Sequence, residues 1–551
     1  MPTPIRFDPS LERVAPGEAE TRRDLVHTLR AIAEKTHADY GHAVRSVHAK
    51  SYAILEGELD IPALPPELAQ GAFATPGTYS VVMRFSTNPG DVLNDAVSAP
   101  RGLAVKIIGL EGERLPGSEG AVTQDLVMAN GPVFSAPDAA AFLKSLKLLA
   151  ATTDRGEGSK MLLSTALRGV SAALAAAGTK SPLVTNMGGQ PLTHPLGETF
   201  YSQTPLRWGE YVGKVSVAPA SANLVALQDK PISLHGNPNA LRQHAIDALA
   251  TQGGEWEIRV QLLTDLDRMP IEDATVEWPE DASPYRTIAR IRIPAQPAWN
   301  EARAARADDR LAFAPWHGLQ AHQPLGSINR ARRPVYADLA ALRAQQNGVQ
   351  IAEPGAAVGL PAGPASARGR TPGREGFRNA PQSALGLRTA AGAIGGLAAG
   401  LLVSGLIALK ARRNDEASDF ARLGRRITGH HGPAWLRNSD FEEEAKAHAG
   451  HLALSAASGA LYGALKPGSV GPVEGGLGFG ALFGALAYAA IGPALQLTPP
   501  PWRDTRENNL QHLVVHALFG VATGVITDRA ARRLARSQAR QQARNQRRQG
   551  R

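Results

Sequence analysis

Four runs without a charged side chain, each 19 to 22 residues long, occupy the last third of this 551-residue chain. The runs are residues 391–409, 447–465, 475–496 and 508–527. As an α-helix, each would cross about 30 Å of hydrocarbon, and small residues four apart, such as Gly396 and Gly400, let helices pack closely. The pattern predicts an all-α, glycine-rich four-helix membrane domain over residues 389–528. A glycine-rich soluble bundle is the alternative.

These runs form two similar pairs. The stretch that starts at His451, HLALSAASGALYGAL, resembles the one that starts at His512, HLVVHALFGVATGVI. Glycines recur at matching offsets, so that Gly459 corresponds to Gly520. Each stretch follows another glycine-rich run, which predicts a 2+2 repeat of helix pairs.

The basic charge of the chain is concentrated in its tail, residues 529–551. This tail holds nine arginines and no acid, and the 50 basic residues elsewhere equal the 50 acidic ones. A neutral body predicts no nucleic-acid partner, and the tail predicts contact with anionic membrane lipid. No apolar secretory signal is visible at the N-terminus, so we expect an inner (cytoplasmic) membrane location with the N-terminal domain facing the cytoplasm.

Residues 1–351 have the pattern of a mixed α/β domain. The absence of cysteine excludes disulfides, thiolate metal sites and thiol nucleophiles. Alternating or branched apolar residues predict strands at 79–86, 101–108, 256–262 and 287–293. Helices are predicted at 22–40, 138–150 and 160–177, which gives an α+β domain. A Pro/Gly/Arg-rich stretch, residues 352–388, is predicted to be a linker.

Four short segments of this domain carry chemistry-bearing residues in a fixed order. They read RSVHAK from Arg45, MRFST from Met83, RGLAVK from Arg101 and DLVMANGPVF from Asp125. Together they resemble the haem catalase family, where the segments are R-x-V-H-A-K-G, R-F-S-T, R-G-F-A-V-K and N-N-T-P-V-F. Ser51 stands where that pattern has glycine.

A fifth segment, NRARRPVYADLAALR from Asn329, resembles the proximal haem segment of the same family. Arg332 lies four residues before Tyr336, and Arg343 lies seven after it, as the family pattern requires. The preceding FAPWH and PLG segments are similar to those of small catalase-related peroxidases. The resemblance implies a catalase-like antiparallel β-barrel with helices.

The resemblance also implies a haem b cofactor with Tyr336 as the ligand of the haem iron. An arginine one helical turn away, Arg332, would favour the phenolate form. His48 would be the distal acid–base group that moves a proton between the two peroxide oxygens, and Asn130 would hydrogen-bond the peroxide.

The remaining implied haem contacts are of two kinds. Cationic side chains would pair with the haem propionates: Arg45, Arg84 and Arg343. Apolar side chains would shape the site, with Phe134 near the haem face and Val47 over the iron.

The predicted function is haem-dependent decomposition of hydrogen peroxide, in defence against oxidative stress. Two alternatives stay open. One is an enzyme that reduces or rearranges organic or fatty-acid hydroperoxides on the same haem site. The other is a membrane protein whose N-terminal domain is a degenerate, haem-sensing relative. The sequence leaves the oligomeric state open, and a homo-oligomer is compatible with it.

Overall fold

The computed structural model describes residues 3–88, 90–152, 191–234, 237–366, 388, 391–392, 395–396, 399–400, 455, 458–466, 471–486 and 506–549. The chain divides into two compact units, of which the first comprises Met1–Asp154 and Leu192–Gly376. The second comprises Arg155–Pro191 and Phe377–Arg551. The predicted helix at 160–177 lies outside the described residues.

The described part of the first unit contains nine strands and six α-helices. The strands are β1 (Lys50–Ile61), β2 (Gly77–Thr87), β3 (Arg101–Ile108), β4 (Thr123–Ala129), β5 (Phe200–Tyr201), β6 (Leu206–Trp208), β7 (Tyr211–Pro219), β8 (Gly254–Leu262) and β9 (Arg286–Ile293). The helices are α1 (Glu18–Tyr40), α2 (Ala139–Thr152), α3 (Ala222–Val225), α4 (Ala240–Leu249), α5 (Glu301–Ala304) and α6 (Ser327–Asn347).

Eight of the strands close into an antiparallel barrel. The sheet runs β5-β4-β3-β2-β1-β9-β8-β7, and the two-residue β5 closes it by pairing with both β4 and β7. Strand β6 pairs with β7 outside the closed ring. The expected α+β class, with an antiparallel β-barrel and helices, is confirmed for the first unit.

Aromatic side chains fill the barrel interior. The ring of Phe85 lies 5.9 Å from Tyr52, 5.6 Å from Phe200 and 5.9 Å from Trp256, measured between ring centroids. All four side chains are fully buried. The interior of an eight-stranded barrel is just wide enough for side chains or one small ligand, and here these aromatic rings pack its centre.

Three helices, α1, α2 and α6, form a layer on the barrel. Their apolar residues meet in one buried cluster that includes Leu25, Leu143 and Val335, with Val47 packed at its edge. An ion pair between Arg30 of α1 and Asp338 of α6, 3.0 Å long, joins two of the helices. This layer fixes the rotation of α6 relative to the strands.

Part of the predicted linker packs on the first unit. Val358 and Leu360 are 8% and 7% exposed and belong to the main core. The backbone N–H groups of Gly359 and Leu360 donate to the carboxylate of Glu56. These contacts move the end of the folded domain from the predicted residue 351 to at least residue 366.

The described part of the second unit contains α7 (Pro472–Leu486), α8 (Arg506–Gln549) and shorter helical stretches. Glycines bring the helix backbones together, since a Cβ on Gly520 would lie 2.2 Å from the carbonyl oxygen of Gly476. A Cβ on Gly459 would lie 2.3 Å from the carbonyl oxygen of Gly392. Gly459 and Gly520 are the matching glycines of the predicted repeat, and they make the same type of contact.

In the described part of the chain, one helical stretch, His512–Arg532, is long and apolar enough to cross a membrane. It lies within α8, and 28% of its apolar window is buried inside the unit. Most of the first two predicted membrane runs lies outside the described residues.

Candidate functional site

A cavity with mostly apolar walls lies beside the barrel, between strand ends and α6. The described residues that line it are Arg45, Ser46, Val47, His48, Arg84, Ser86, Gly102, Leu103, Ala104, Val127, Met128, Ala312, Phe313, Ala314, Val335, Tyr336, Leu339, Ala340 and Arg343. Six residues that the sequence predicted for a haem site therefore meet at one cavity, although they come from three distant segments.

His48 lies just before β1. Its backbone has a φ of 56°, a left-handed conformation that is strained for a residue with a side chain. The His48 N–H donates to the carbonyl of Asn88 at 2.9 Å, and Nη2 of Arg84 donates to the His48 carbonyl at 2.9 Å. The ring lies over Gly102, where a Cβ would come within 2.4 Å of Cε1.

The electrostatics around His48 keep its imidazole neutral. Burial, followed by the positive charges of Arg84, Arg332 and Arg45, lowers the pKa of His48 to about 3. Its Nδ1 is buried and has no hydrogen-bond partner among the described residues. The neutral imidazole is the form that the predicted acid–base role requires, and its low pKa makes it a weak base.

Tyr336 projects from α6 and is half-buried at the cavity. Arg332 donates to the side chains of Thr204 and Asn329 at 3.3 and 3.1 Å. Burial lowers the pKa of Arg332, and the phenol of Tyr336 acts against that shift, so the two groups are electrostatically coupled. The predicted arginine–tyrosine pair is thus near the cavity, with the phenol on the wall and the guanidinium behind it.

Three arginines of the predicted site, Arg45, Arg84 and Arg343, share the cavity wall. Nη2 of Arg45 and Nη2 of Arg343 both donate to the carbonyl of Leu311, at 2.8 and 3.1 Å. Their Nε atoms are buried and lack a hydrogen-bond partner among the described residues. Buried unpaired donors on two cations are suited to bind the carboxylates of an anionic ligand.

Asn130 and Phe134 are not among the described residues that line the cavity. The Asn130 side chain accepts from the Arg101 N–H at 2.9 Å and donates to Glu198 at 3.0 Å. The expected distal amide is therefore held in a neighbouring polar cluster.

Phe134 instead packs against α2. Its ring lies 5.1 Å from that of Phe142, and the guanidinium of Arg332 lies 5.5 Å from its centroid. It supports the arginine behind Tyr336 without reaching the cavity wall.

Sequence reasoning missed two side chains next to the cavity. Asp308 accepts from Nε of Arg84 at 2.5 Å and from the hydroxyl of Ser51 at 2.7 Å. Phe313 lines the cavity with Arg45 and Lys106 at 5.6 and 5.5 Å from its ring centroid. The sequence signal for Asp308 was Ser51, which stands where the family pattern has glycine. Its hydroxyl needs a hydrogen-bond partner at that position.

The residues present fit a haem in three respects. A phenol and a neutral imidazole border the same cavity, two arginines offer unpaired donors to carboxylates, and the other walls are mostly apolar. Of the residues expected at the site, Asn130, Phe134 and Arg332 are absent from the described lining of the cavity.

Comparison with known proteins finds catalases among solved structures. Catalase A from Saccharomyces cerevisiae matches with 20% identity and a TM-score of 0.41, over 57% of this chain and 63% of that one. A fungal catalase matches with 18% identity and a TM-score of 0.41, over 59% and 65%. A bacterial catalase matches with 17% identity and a TM-score of 0.39, over 58% and 60%. The chain thus spans less than two thirds of the length of each of these catalases.

No family model matches the chain, and no curated relative matches it.

Proposed function

We propose that the first unit is a haem-dependent peroxide-decomposing enzyme of the catalase or peroxidase type. The observation that carries this proposal is the meeting of His48 and Tyr336 at one cavity. Proximity alone would be weak support, but the two groups also stand in the order and spacing that resemble haem catalases. The neutral state of His48 supplies the chemistry that the role needs.

Bound haem iron would supply the redox chemistry, by which two hydrogen peroxide molecules become two waters and one dioxygen. The residues of the chain bind, orient and move protons. His48 accepts a proton from one peroxide oxygen and returns it to the other, so that water can leave. Arg332 would lie behind Tyr336, the ligand of the haem iron in this proposal. Arg45 and Arg343, each with an Nε atom that lacks a partner among the described residues, would hold the carboxylates of the haem.

The first test is the full chain, produced with haem supplied. We expect stoichiometric haem binding, a tyrosinate-type absorption spectrum and oxygen evolution on addition of hydrogen peroxide. Tyr336→Phe should abolish that spectrum and weaken haem retention at least tenfold. Tyr79→Phe is the control, because Tyr79 lies against the barrel core and not among the described cavity residues. An unchanged spectrum in Tyr336→Phe would exclude the tyrosine as ligand.

Processing of organic or fatty-acid hydroperoxides is a second candidate function. It is favoured by the amide of Asn130, which is bound to Glu198 and not at the cavity, and by the mostly apolar cavity walls. Apolar walls hold an alkyl chain better than water or hydrogen peroxide. A comparison of kcat/KM for hydrogen peroxide, tert-butyl hydroperoxide and a long-chain fatty-acid hydroperoxide separates the two functions. The second requires a higher value for the long-chain compound.

The second unit is proposed to anchor the protein in the inner membrane, with lipid as its partner. Its support is the apolar stretch His512–Arg532 and the exposure of large apolar side chains on α8. Leu510, Leu513 and Leu518 are 61%, 60% and 52% exposed, which is unusual in water. We expect the full chain to resist alkaline carbonate and to need detergent for extraction. Its recovery in the soluble fraction would favour a soluble bundle instead.

A further inference from the structure

Asp308 and Arg84 form a partly buried ion pair, and Arg84 also contacts the backbone of His48. Nε of Arg84 donates to Oδ1 of Asp308 at 2.5 Å, and the Arg84 side chain is only 3% exposed. Burial alone would raise the pKa of Asp308, but the charges of Arg84 and Arg45 and the hydrogen bonds from Ser51 and Arg84 lower it overall. Asp308 is therefore a carboxylate in the folded protein, and it balances the charge of Arg84.

The carboxylate of Asp308 is itself held from the other side. Ser51 donates its hydroxyl proton to Oδ2 of Asp308 at 2.7 Å, and Nε1 of Trp299 donates to the Ser51 oxygen at 3.0 Å. The Trp299 side chain is buried, and the guanidinium of Arg242 stacks 3.8 Å from its ring centroid. A chain of hydrogen bonds thus runs from a fixed indole through Ser51 and Asp308 to Arg84.

This series of hydrogen bonds ends at the backbone of His48. Nη2 of Arg84 donates to the His48 carbonyl at 2.9 Å, and the His48 N–H donates to Asn88 at 2.9 Å. His48 has a left-handed backbone, which persists only where surrounding contacts enforce it. The two hydrogen bonds, one on each side of the residue, are contacts of that kind.

Arg84 differs in this respect from the other two arginines of the cavity. Nε and Nη2 of Arg84 are both engaged, by Asp308 and by His48. In Arg45 and Arg343, the Nη2 atoms bind backbone carbonyls but the Nε atoms are buried and unpaired. Of these three arginines, Arg45 and Arg343 are therefore the ones that keep a buried donor without a partner among the described residues.

We propose that Asp308, held by Ser51, is a positioning residue that fixes Arg84 against the His48 carbonyl and so holds the His48 backbone in its left-handed conformation. In this assignment Arg84 serves the histidine, and Arg45 and Arg343 are the contacts for ligand carboxylates. The part of this proposal that concerns the ligand carboxylates rests on the proposed haem function. The part that concerns the His48 backbone rests on geometry alone. It revises the expectation, drawn from the sequence, that all three arginines bind haem propionates.

The test of the histidine part uses the full chain without haem. Amide hydrogen exchange of the peptide that contains His48 should become at least tenfold faster in Asp308→Asn, because the Arg84 contact loosens. Asp309→Asn is the matched control, since its carboxylate lies on the same π-helical turn but accepts from Nε2 of His42 at 3.0 Å. It should leave the exchange of that peptide unchanged. Equal exchange in Asp308→Asn and the wild type would overturn the proposal.

Ser51→Gly is a milder variant that removes only the hydroxyl, and it covers the case in which Asp308→Asn fails to fold. We expect the same peptide to exchange about threefold faster in Ser51→Gly, while the melting transition stays cooperative. Unchanged exchange in this variant would show that Ser51 does not hold Asp308 and would overturn that step of the chain.

The ligand part is tested by haem titration of the full chain. Arg45→Gln and Arg343→Gln should each raise the haem dissociation constant about tenfold, while Arg84→Gln should change it less than threefold. Equal weakening by all three would overturn the division of roles. If the wild type binds no haem, the proposed function fails, and the hydrogen-exchange result still decides the role of Asp308.

Discussion

His48 is half-buried among three cations, and this environment determines how the proposed activity depends on pH. Burial and the charges of Arg84, Arg332 and Arg45 lower its pKa to about 3, so the neutral form prevails above that value. We expect the rate of peroxide consumption per haem to be flat from pH 5 to pH 8 and to fall only as pH approaches 3. A stopped-flow pH profile checks this, and a decline centred near pH 6.5 would contradict it.

Loss of the same side chain should be costly at every pH. His48→Gln should lower the rate by about 10² to 10⁴, the usual contribution of a positioned acid–base group, while haem content stays the same. A wild-type rate in this variant would remove His48 from the mechanism.

The absence of a side chain at Gly102 leaves the space that the ring of His48 occupies. A Cβ at this position would lie 2.4 Å from Cε1 and 2.6 Å from Nδ1 of His48, so Gly102→Ala has to displace the imidazole. A displacement of about 1 Å lowers an enzymatic rate by about 10²-fold, and we expect a loss of that order with haem binding retained. Gly131→Ala is the control, because its Cβ would meet nothing closer than 4.0 Å. Similar rates in both variants would contradict the steric argument.

The sequence motifs identified the residues of the site more reliably than the positions of their side chains. Arg45, His48 and Tyr336 were predicted from spacing, and they do line one cavity. Asn130 was predicted for the same site but hydrogen-bonds Glu198 instead. A motif read letter by letter does not show which neighbouring side chains an amide will bind.

At the scale of helices, the glycines of α7 and α8 fall into two physical classes. A Cβ on Gly520 would lie 2.2 Å from the carbonyl oxygen of Gly476 and 2.7 Å from Cα of Gly480. A Cβ on Gly478 would meet no atom within 4 Å. The first glycine is required by close helix packing, and the second is not.

The two classes predict changes of opposite sign. Gly520→Ala should destabilise the second unit, because the helix backbones have to move apart. Gly478→Ala should stabilise it by about 0.5 to 1 kcal/mol, because alanine is the better helix former. Unfolding of the full chain, followed by circular dichroism in detergent, measures both. Stabilisation by Gly520→Ala would show that the α7–α8 contact is looser than the structure has it.

The strands that the sequence predicted lie close to their predicted positions, whereas β1, β7 and α6 were not predicted. Strand β3 begins and ends where its run of branched residues predicted, and β8 begins two residues before its predicted start. Helix α1 begins at Glu18 and not at residue 22, because the Glu18 carboxylate binds Arg330 of α6 and orders the first turn. That contact joins distant parts of the chain, and local periodicity does not reveal it.

At the scale of the molecule, the segment of residues 351–366 decides where the first unit ends. Its composition is that of a linker, yet Oε2 of Glu353 accepts from Nζ of Lys106 at 2.6 Å, and Lys106 is fully buried. Asn300 and Arg303 donate to the backbone carbonyls of Gly363 and Pro361. The segment is therefore part of the domain that carries the cavity.

The last prediction concerns truncation within this segment. A chain that ends at residue 366 should unfold as the first unit does in the full-length protein, whereas a chain that ends at residue 350 loses Val358, Leu360 and Glu353. Burial of the two apolar side chains is worth roughly 3 to 6 kcal/mol, and we expect a loss of that order in urea unfolding.

The same truncation should also affect the cavity, because Lys106 connects the removed segment to Phe313 on the cavity wall. Lys106 lies 5.5 Å from the ring centroid of Phe313, which lines the cavity, and it would keep only Asp125 as its ion-pair partner after the shorter cut. Haem retention should therefore also weaken in the chain that ends at 350. Glu353→Gln in the chain that ends at 366 separates the two effects, since it removes the charge and keeps both apolar contacts. Equal urea midpoints for the two truncated chains would show that residues 351–366 are a linker after all.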